Sequence, residues 1–337
     1  MFEKTRLTLL GVCLGLAACD SARSRDLTAP DTEPEAFDPS AAALANSWAT
    51  KAPIPVAVTF AAAGAISNII YVVGGSDAAN NSIKTVRAYN TTFNFWSTRA
   101  DLPGNRSSPN GASNISGRLY VSGGKNNTTG ATKSLYRYDP GTNTWLGRAN
   151  MPVPSACGAQ GVISGLLYVY APGLGACGPT HGFYRYNPAT NTWISRAVPP
   201  SKHSSPVAGV IGGKFYLAGG TLNGSLDPNL ALHVYTPASN SWATKAPLPS
   251  KQQHAAGGAL LGKLYVAGGV NFTAPGVPPI GTNRAYDPAT NSWATKAPML
   301  TPRFYTAGTN AGGLLWVISG FATTTTGRST KNEAYTP

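Results

Sequence analysis

Short apolar runs, each closed by glycine and set off by polar turns, recur along this chain. The stretch 256–261 is small and apolar, Gly262-Lys263 suits a tight hairpin turn, and 264–267 is a second apolar run. Gly268-Gly269 closes that run, and a variable loop follows. A strand over 283–286 then leads through the turn 287–291 to another strand opening at Trp293. Runs this short, bounded by Gly, Pro and Asn, predict antiparallel strands, four to the unit.

The unit repeats. Trp48, Trp96, Trp145, Trp193, Trp242 and Trp293 are spaced by 48 to 51 residues, and Tyr89, Tyr138, Tyr186, Tyr235, Tyr286 and Tyr335 keep the same rhythm. A glycine pair closes an apolar run at Gly74-Gly75, Gly123-Gly124, Gly219-Gly220 and Gly268-Gly269. The last copy has Ser319-Gly320, and the third departs with Ala171-Pro172-Gly173. Gly and Ala are frequent in the first strand of each unit, as expected where strands crowd around a central axis, while Trp and Tyr can fill the widening gap outside. One such sheet cannot bury both faces, so the units must stack into a closed ring.

An apolar strand ending in Gly-Gly, a variable loop, a Tyr, and a Trp after a short turn together resemble the kelch repeat. The resemblance runs over 48–337 and implies an all-β, six-bladed β-propeller. The last unit ends at Tyr335-Thr336-Pro337 with no Trp strand, whereas Trp48 opens the domain with no Tyr strand of its own. The N-terminal strand is therefore expected to complete the last blade, which leaves no open edge.

Ahead of the repeats, Lys4 and Arg6 precede an uncharged stretch, 7–18, too short to span a bilayer but suited to a signal-peptide core. Leu16-Ala17-Ala18-Cys19 resembles the bacterial lipobox, which implies a signal over 1–18 and lipidation of Cys19. Residues 19–47, with six acids and two bases, read as an acidic, disordered tether. The expected location is the bacterial cell envelope, with the membrane reached by a lipid anchor alone.

The chain has 26 Lys and Arg against 13 Asp and Glu, a formal net charge of +13. Gly (38) and Pro (27) are too frequent for a helical bundle, and 7 Trp, 15 Tyr and 10 Phe speak against general disorder. The basic excess lies in 48–337, where 22 bases face six acids, and the acidic stretch before it offsets part of it. Six of those bases, Lys51, Arg99, Arg148, Arg196, Lys245 and Lys296, stand three residues after each Trp. A base present in every blade is architectural, its stem free to cover apolar surface with the charge in water. Charge spread around a ring is not the one-sided stripe of a nucleic-acid surface. A monomer without nucleic acid, cofactor or metal is expected.

No catalytic constellation is legible. A copper-radical oxidase of the galactose oxidase type needs a Tyr next to His and a Cys-linked Tyr, and none of the four histidines follows a Tyr. A glycosidase needs a convergent carboxylate pair. The six acids of the repeats, Asp77, Asp101, Asp139, Asp227, Asp287 and Glu333, are scattered over turns and loops of different units.

In kelch-type propellers the loops leading into each blade's first strand and those after the Gly pair share one face, around the axial mouth. The six lead-in triplets are Val58-Thr59-Phe60, Arg106-Ser107-Ser108, Ser155-Ala156-Cys157, Lys202-His203-Ser204, Gln252-Gln253-His254 and Arg303-Phe304-Tyr305. They vary while the framework repeats, as a binding mouth on a rigid scaffold does; loop ends drifting without a ligand would look similar. Arg106, Lys202, His203, Lys251, His254 and Arg303, with Phe304 and Tyr305, would suit an anionic or carbohydrate ligand. Cys157 and Cys177 fall on that face of one blade, and in an exported chain they are expected to form a disulfide rather than remain two buried thiols. The expected function is a binding scaffold for a protein or an envelope glycan. The second class is an enzyme on acidic sugars, because some kelch propellers act on sialic acid as mutarotases.

Overall fold

The computed structural model describes residues 45–337 other than 174, 223–227, 273–275 and 324–326. The expected signal, Cys19 and the tether up to residue 44 lie outside the described residues. Six antiparallel four-stranded sheets form among the described residues, one per repeat. They are blade 1 (62–99), blade 2 (111–148), blade 3 (159–196), blade 4 (207–245), blade 5 (256–296) and blade 6 (307–336). Blade 6 takes its outermost strand, Ser47–Lys51, from the other end of the domain, with Trp48 opposite Tyr335 in the register. The ring closes as expected.

Local chemistry explains where strands stop. Gly74 and Gly75 end the second strand of blade 1 in the left-handed region, at φ 63° and 104°. Blade 3 has Ala171 and Pro172 at that point, and its second strand, Leu166–Pro172, runs on, paired with His181–Asn187. Nearer the axis, a Cβ on Gly64 would strike the carbonyl oxygen of Ala112 in the next blade, so a larger residue there would push the inner strands apart.

The core is divided among the blade junctions. One cluster joins blades 6 and 1 through Trp316 and Tyr89, whose rings lie 5.3 Å apart, and five more fill the other junctions. A polar clamp repeats beside each. In blade 3 the hydroxyl of Tyr186 donates to Asn191 Oδ1 (2.7 Å), which also accepts from Ala149 N of blade 2 (2.9 Å). The indole of Trp193 donates to Ala149 O (2.8 Å), so both backbone groups of one alanine are held by the neighbouring blade. The base preceding that alanine joins in: Arg148 Nε donates to the Tyr186 hydroxyl at 3.0 Å.

Candidate functional site

The chain enters each innermost strand through a residue in the left-handed region. Phe60, Ser108, Cys157, Ser205, His254 and Tyr305 have φ between 49° and 56°. Such backbone costs an L-residue on the order of 1–2 kcal/mol, so something must hold six equivalent residues there. A belt of five backbone hydrogen bonds around the axis holds five of them, and His254 takes part through its carbonyl. Phe60 N donates to Tyr305 O (3.1 Å), Ser108 N to Phe60 O (2.7 Å), and Cys157 N to Ser108 O (2.9 Å). Ser205 N then donates to Cys157 O (2.7 Å), and Tyr305 N to His254 O (3.0 Å). Strain held by its surroundings is a pointer to function. Just before five of the six belt residues, backbone bridges such as Thr59–Ser76, Ser107–Lys125 and Gln253–Val270 place the lead-in and post-glycine loops on one face.

The belt is lopsided. Blades 5, 6 and 1 contribute His254, Tyr305 and Phe60, whose rings follow one another at centroid distances of 4.0 and 3.9 Å. Blades 2, 3 and 4 contribute the small Ser108, Cys157 and Ser205. Between the two halves lies a cavity of about 130 Å³. It adjoins an axial channel of about 420 Å³, walled by the Gly- and Ala-rich inner strands. Behind the aromatic half, Phe272, Phe304 and Phe321 pack around Val270 as a separate small core. Tyr305 Oη lies 3.1 Å from His254 Nε2. Burial keeps the imidazole neutral, with its pKa lowered to about 3, and raises the Tyr305 phenol to about 12.

The expected cations stand elsewhere. Two positions before the belt, Arg106, His203, Gln252 and Arg303 turn inward under the glycine pair and are buried. Each meets the second residue of its own blade's third strand. Arg106 Nη2 reaches the Tyr136 hydroxyl (3.5 Å), and His203 Nε2 lies 2.8 Å from His233 Nδ1. Arg284 Nη1 donates to Gln252 Oε1 (2.7 Å), and Arg303 Nη2 lies 3.1 Å from Glu333 Oε2. Gln252 Nε2 donates to the carbonyls of Val266, Gly268 and Thr282, and the Arg303 guanidinium to the equivalent Val317, Ser319 and Lys331. These side chains differ between blades because each is matched to an internal partner.

The fourth triplet also shifts by one residue. Ser205, not Ser204, is the belt residue, so His203-Ser204-Ser205 is the aligned set. Of the eight residues expected at the mouth, His254 and Tyr305 line the cavity, and Phe304 is buried directly behind. Lys202 and Lys251 are half-buried outside it, Lys202 Nζ lying 3.4 Å from Gly173 O. Phe60, Phe272 and Phe321 belong to the aromatic side without having been expected there; Phe60 was visible at the third position of its triplet. Cys157 and Cys177 form the expected disulfide, which ties a belt residue to the loop of the blade that lacks its glycine pair.

A ring of six four-stranded blades with a loop-built axial mouth defines the β-propellers. The kelch motif matches at 57–103, 106–152 and 254–300, and the chain is a six-bladed kelch-repeat propeller. The solved structure of YjhT is similar, with a TM-score of 0.70 and 18% identity over 83% of this chain and 95% of that one, a likeness of fold. No curated protein matches the chain.

Proposed function

We propose that this chain is an exported, lipid-anchored binding scaffold whose mouth holds an envelope glycan by stacking a sugar ring on His254, Tyr305 and Phe60. One observation carries the reading: three contiguous aromatic rings on one side of a 130 Å³ cavity and three small residues on the other. A pyranose has an apolar face of C–H groups and an edge of hydroxyls. Aromatic faces attract the first, and Ser108 and Ser205 can hydrogen-bond the second. A protein segment presenting an apolar side chain is the other ligand of this class. The placement of Arg106 and Arg303 inside their blades favours a neutral ligand over the anionic one expected from the sequence. A glycan array probed with the full chain and with Tyr305→Ala tests this. Specific hits lost in the variant are expected, and hits unaffected by it would contradict the site.

The mutarotase reading has one observation in its favour, the His254–Tyr305 contact at the cavity. Opening a cyclic sugar needs a base at the anomeric hydroxyl and an acid at the ring oxygen, and a neutral imidazole beside a phenol can supply both. Accelerated anomer exchange in NMR, lost in His254→Gln, would favour the enzyme; exchange at the uncatalysed rate would exclude it.

A further inference from the structure

Four blades carry the same hydroxyl pair in the turn before their outermost strand. Thr142 and Thr144, Thr190 and Thr192, Ser239 and Ser241, and Thr290 and Ser292 flank the clamp asparagine, their oxygens 2.7 Å apart. Blade 1 breaks the pattern. Phe93 and Phe95 flank Asn94 there, and they stand 72% and 50% exposed. Burial of apolar surface stabilises a fold, and both rings forgo much of that gain in the free protein. Ring architecture does not require them, because four blades close the same turn with hydroxyls.

The position of the pair suggests what covers it. Thr91 N donates to Asn68 O (2.9 Å) and Asn68 Nδ2 to Thr92 Oγ1 (2.8 Å), so this turn packs on the hairpin at the far end of the innermost strand from the mouth. Asn94 Oδ1 accepts from Ala52 N (2.8 Å), so Lys51 directly precedes a residue bonded to this turn. Asn46 fills the equivalent turn position in blade 6, so the chain joins the ring on this rim, one blade away. The surrounding domain carries 22 bases against six acids.

We propose that this rim docks on an anionic lipid bilayer. Phe93 and Phe95 enter the interface, Lys51 faces lipid phosphates, and the mouth points away from the membrane. The inference rests on the export reading above for its setting, although its test does not.

The test is flotation of the full chain carrying Cys19→Ala, which removes the thiol the expected lipid would take. The vesicles are phosphatidylcholine, alone or mixed with phosphatidylglycerol. The double variant Phe93→Thr/Phe95→Ser installs the blade 5 residues, so it should fold with an undiminished melting temperature. Expected is flotation with the anionic vesicles, weakened by salt, and at least about tenfold weaker for the double variant, equivalent to about 1.4 kcal/mol. Three results would overturn the proposal: no flotation of the parent, equal flotation of the double variant, or a dimer in sedimentation that the double variant abolishes. Lipidation is read separately, by labelling with a radioactive fatty acid, so either idea can fail alone.

Discussion

The indole Nε1 of Trp48 donates to the carbonyl oxygen of Ala297 at 2.8 Å, across 249 residues of chain. Asn46 Oδ1 accepts from the amide of the same alanine at 2.9 Å and from the Tyr335 hydroxyl at 2.8 Å. The first described strand thus makes at the closing seam the contacts that each blade makes with its neighbour. Its loss would leave the edge of Asn332–Thr336 in blade 6 unpaired.

Trp48→Ala should therefore cost about 3–5 kcal/mol, a large aromatic removed from a packed junction. Trp48→Phe should cost about 0.5–1.5 kcal/mol, because the ring stays and the hydrogen bond goes. Removing 46–52 should destabilise all six blades together. Urea unfolding followed by fluorescence and far-UV dichroism checks this; unchanged midpoints would refute the seam.

Acid should destabilise the fold through its histidines. His203 is buried and neutral, its pKa lowered to about 3 by burial, and burial also lowers His233 and His181. Unfolding exposes imidazoles that bind protons below about pH 6.5, while the folded state still excludes them. Stability is therefore full above that pH and falls as pH drops toward 3, by up to about 1.4 kcal/mol per pH unit for His203. His203→Asn should flatten the slope between about pH 6.5 and 3, the window set by the two pKa values. An unchanged slope would remove His203 from the account.

Blade 6 and blade 5 solve one problem with opposite residues. Arg303 and Glu333 are both fully buried and ion-paired, where blade 5 has Gln252 and Arg284. Glu333→Gln leaves the guanidinium without its counter-charge and should cost about 3–5 kcal/mol. The exchange Arg303→Gln/Glu333→Arg transplants the blade 5 pair and should recover most of the loss. A double variant as unstable as the sum of its singles would show that the two positions do not act as a pair.

The disulfide should stabilise by about 3 kcal/mol in a chain-entropy account, given its separation of 20 residues. Because Cys157 is a belt residue, reduction should also loosen the mouth. Hydrogen exchange in reduced and oxidised protein should therefore differ at the amides of Cys157 and Ser205. Protection unchanged at both would separate the disulfide from the belt.

The framework was legible because it is periodic. Trp and Tyr do the same job in every blade, so their spacing marked the units and strands, the kelch resemblance implied six blades, and the unmatched Trp48 and Tyr335 pointed to the closure. The side chains under the glycine pair were misassigned for a related reason. Arg106, His203, Gln252 and Arg303 vary as a ligand site would, but each varies with a partner about thirty residues later: Tyr136, His233, Arg284 and Glu333. Reading two repeat positions jointly would have exposed the match. The belt was less legible, because φ near 50° at Phe60 or Tyr305 is set by hydrogen bonds between blades and leaves no glycine in the sequence.

The central claim is that the aromatic half of the mouth holds the ligand. Aromatic ¹H–¹³C NMR of the protein titrated with the strongest glycan from the array tests it most directly. The account predicts saturable shifts at Phe60, His254 and Tyr305, with the same affinity in Phe93→Thr/Phe95→Ser. Shifts confined to other residues, with these three unmoved, would contradict it.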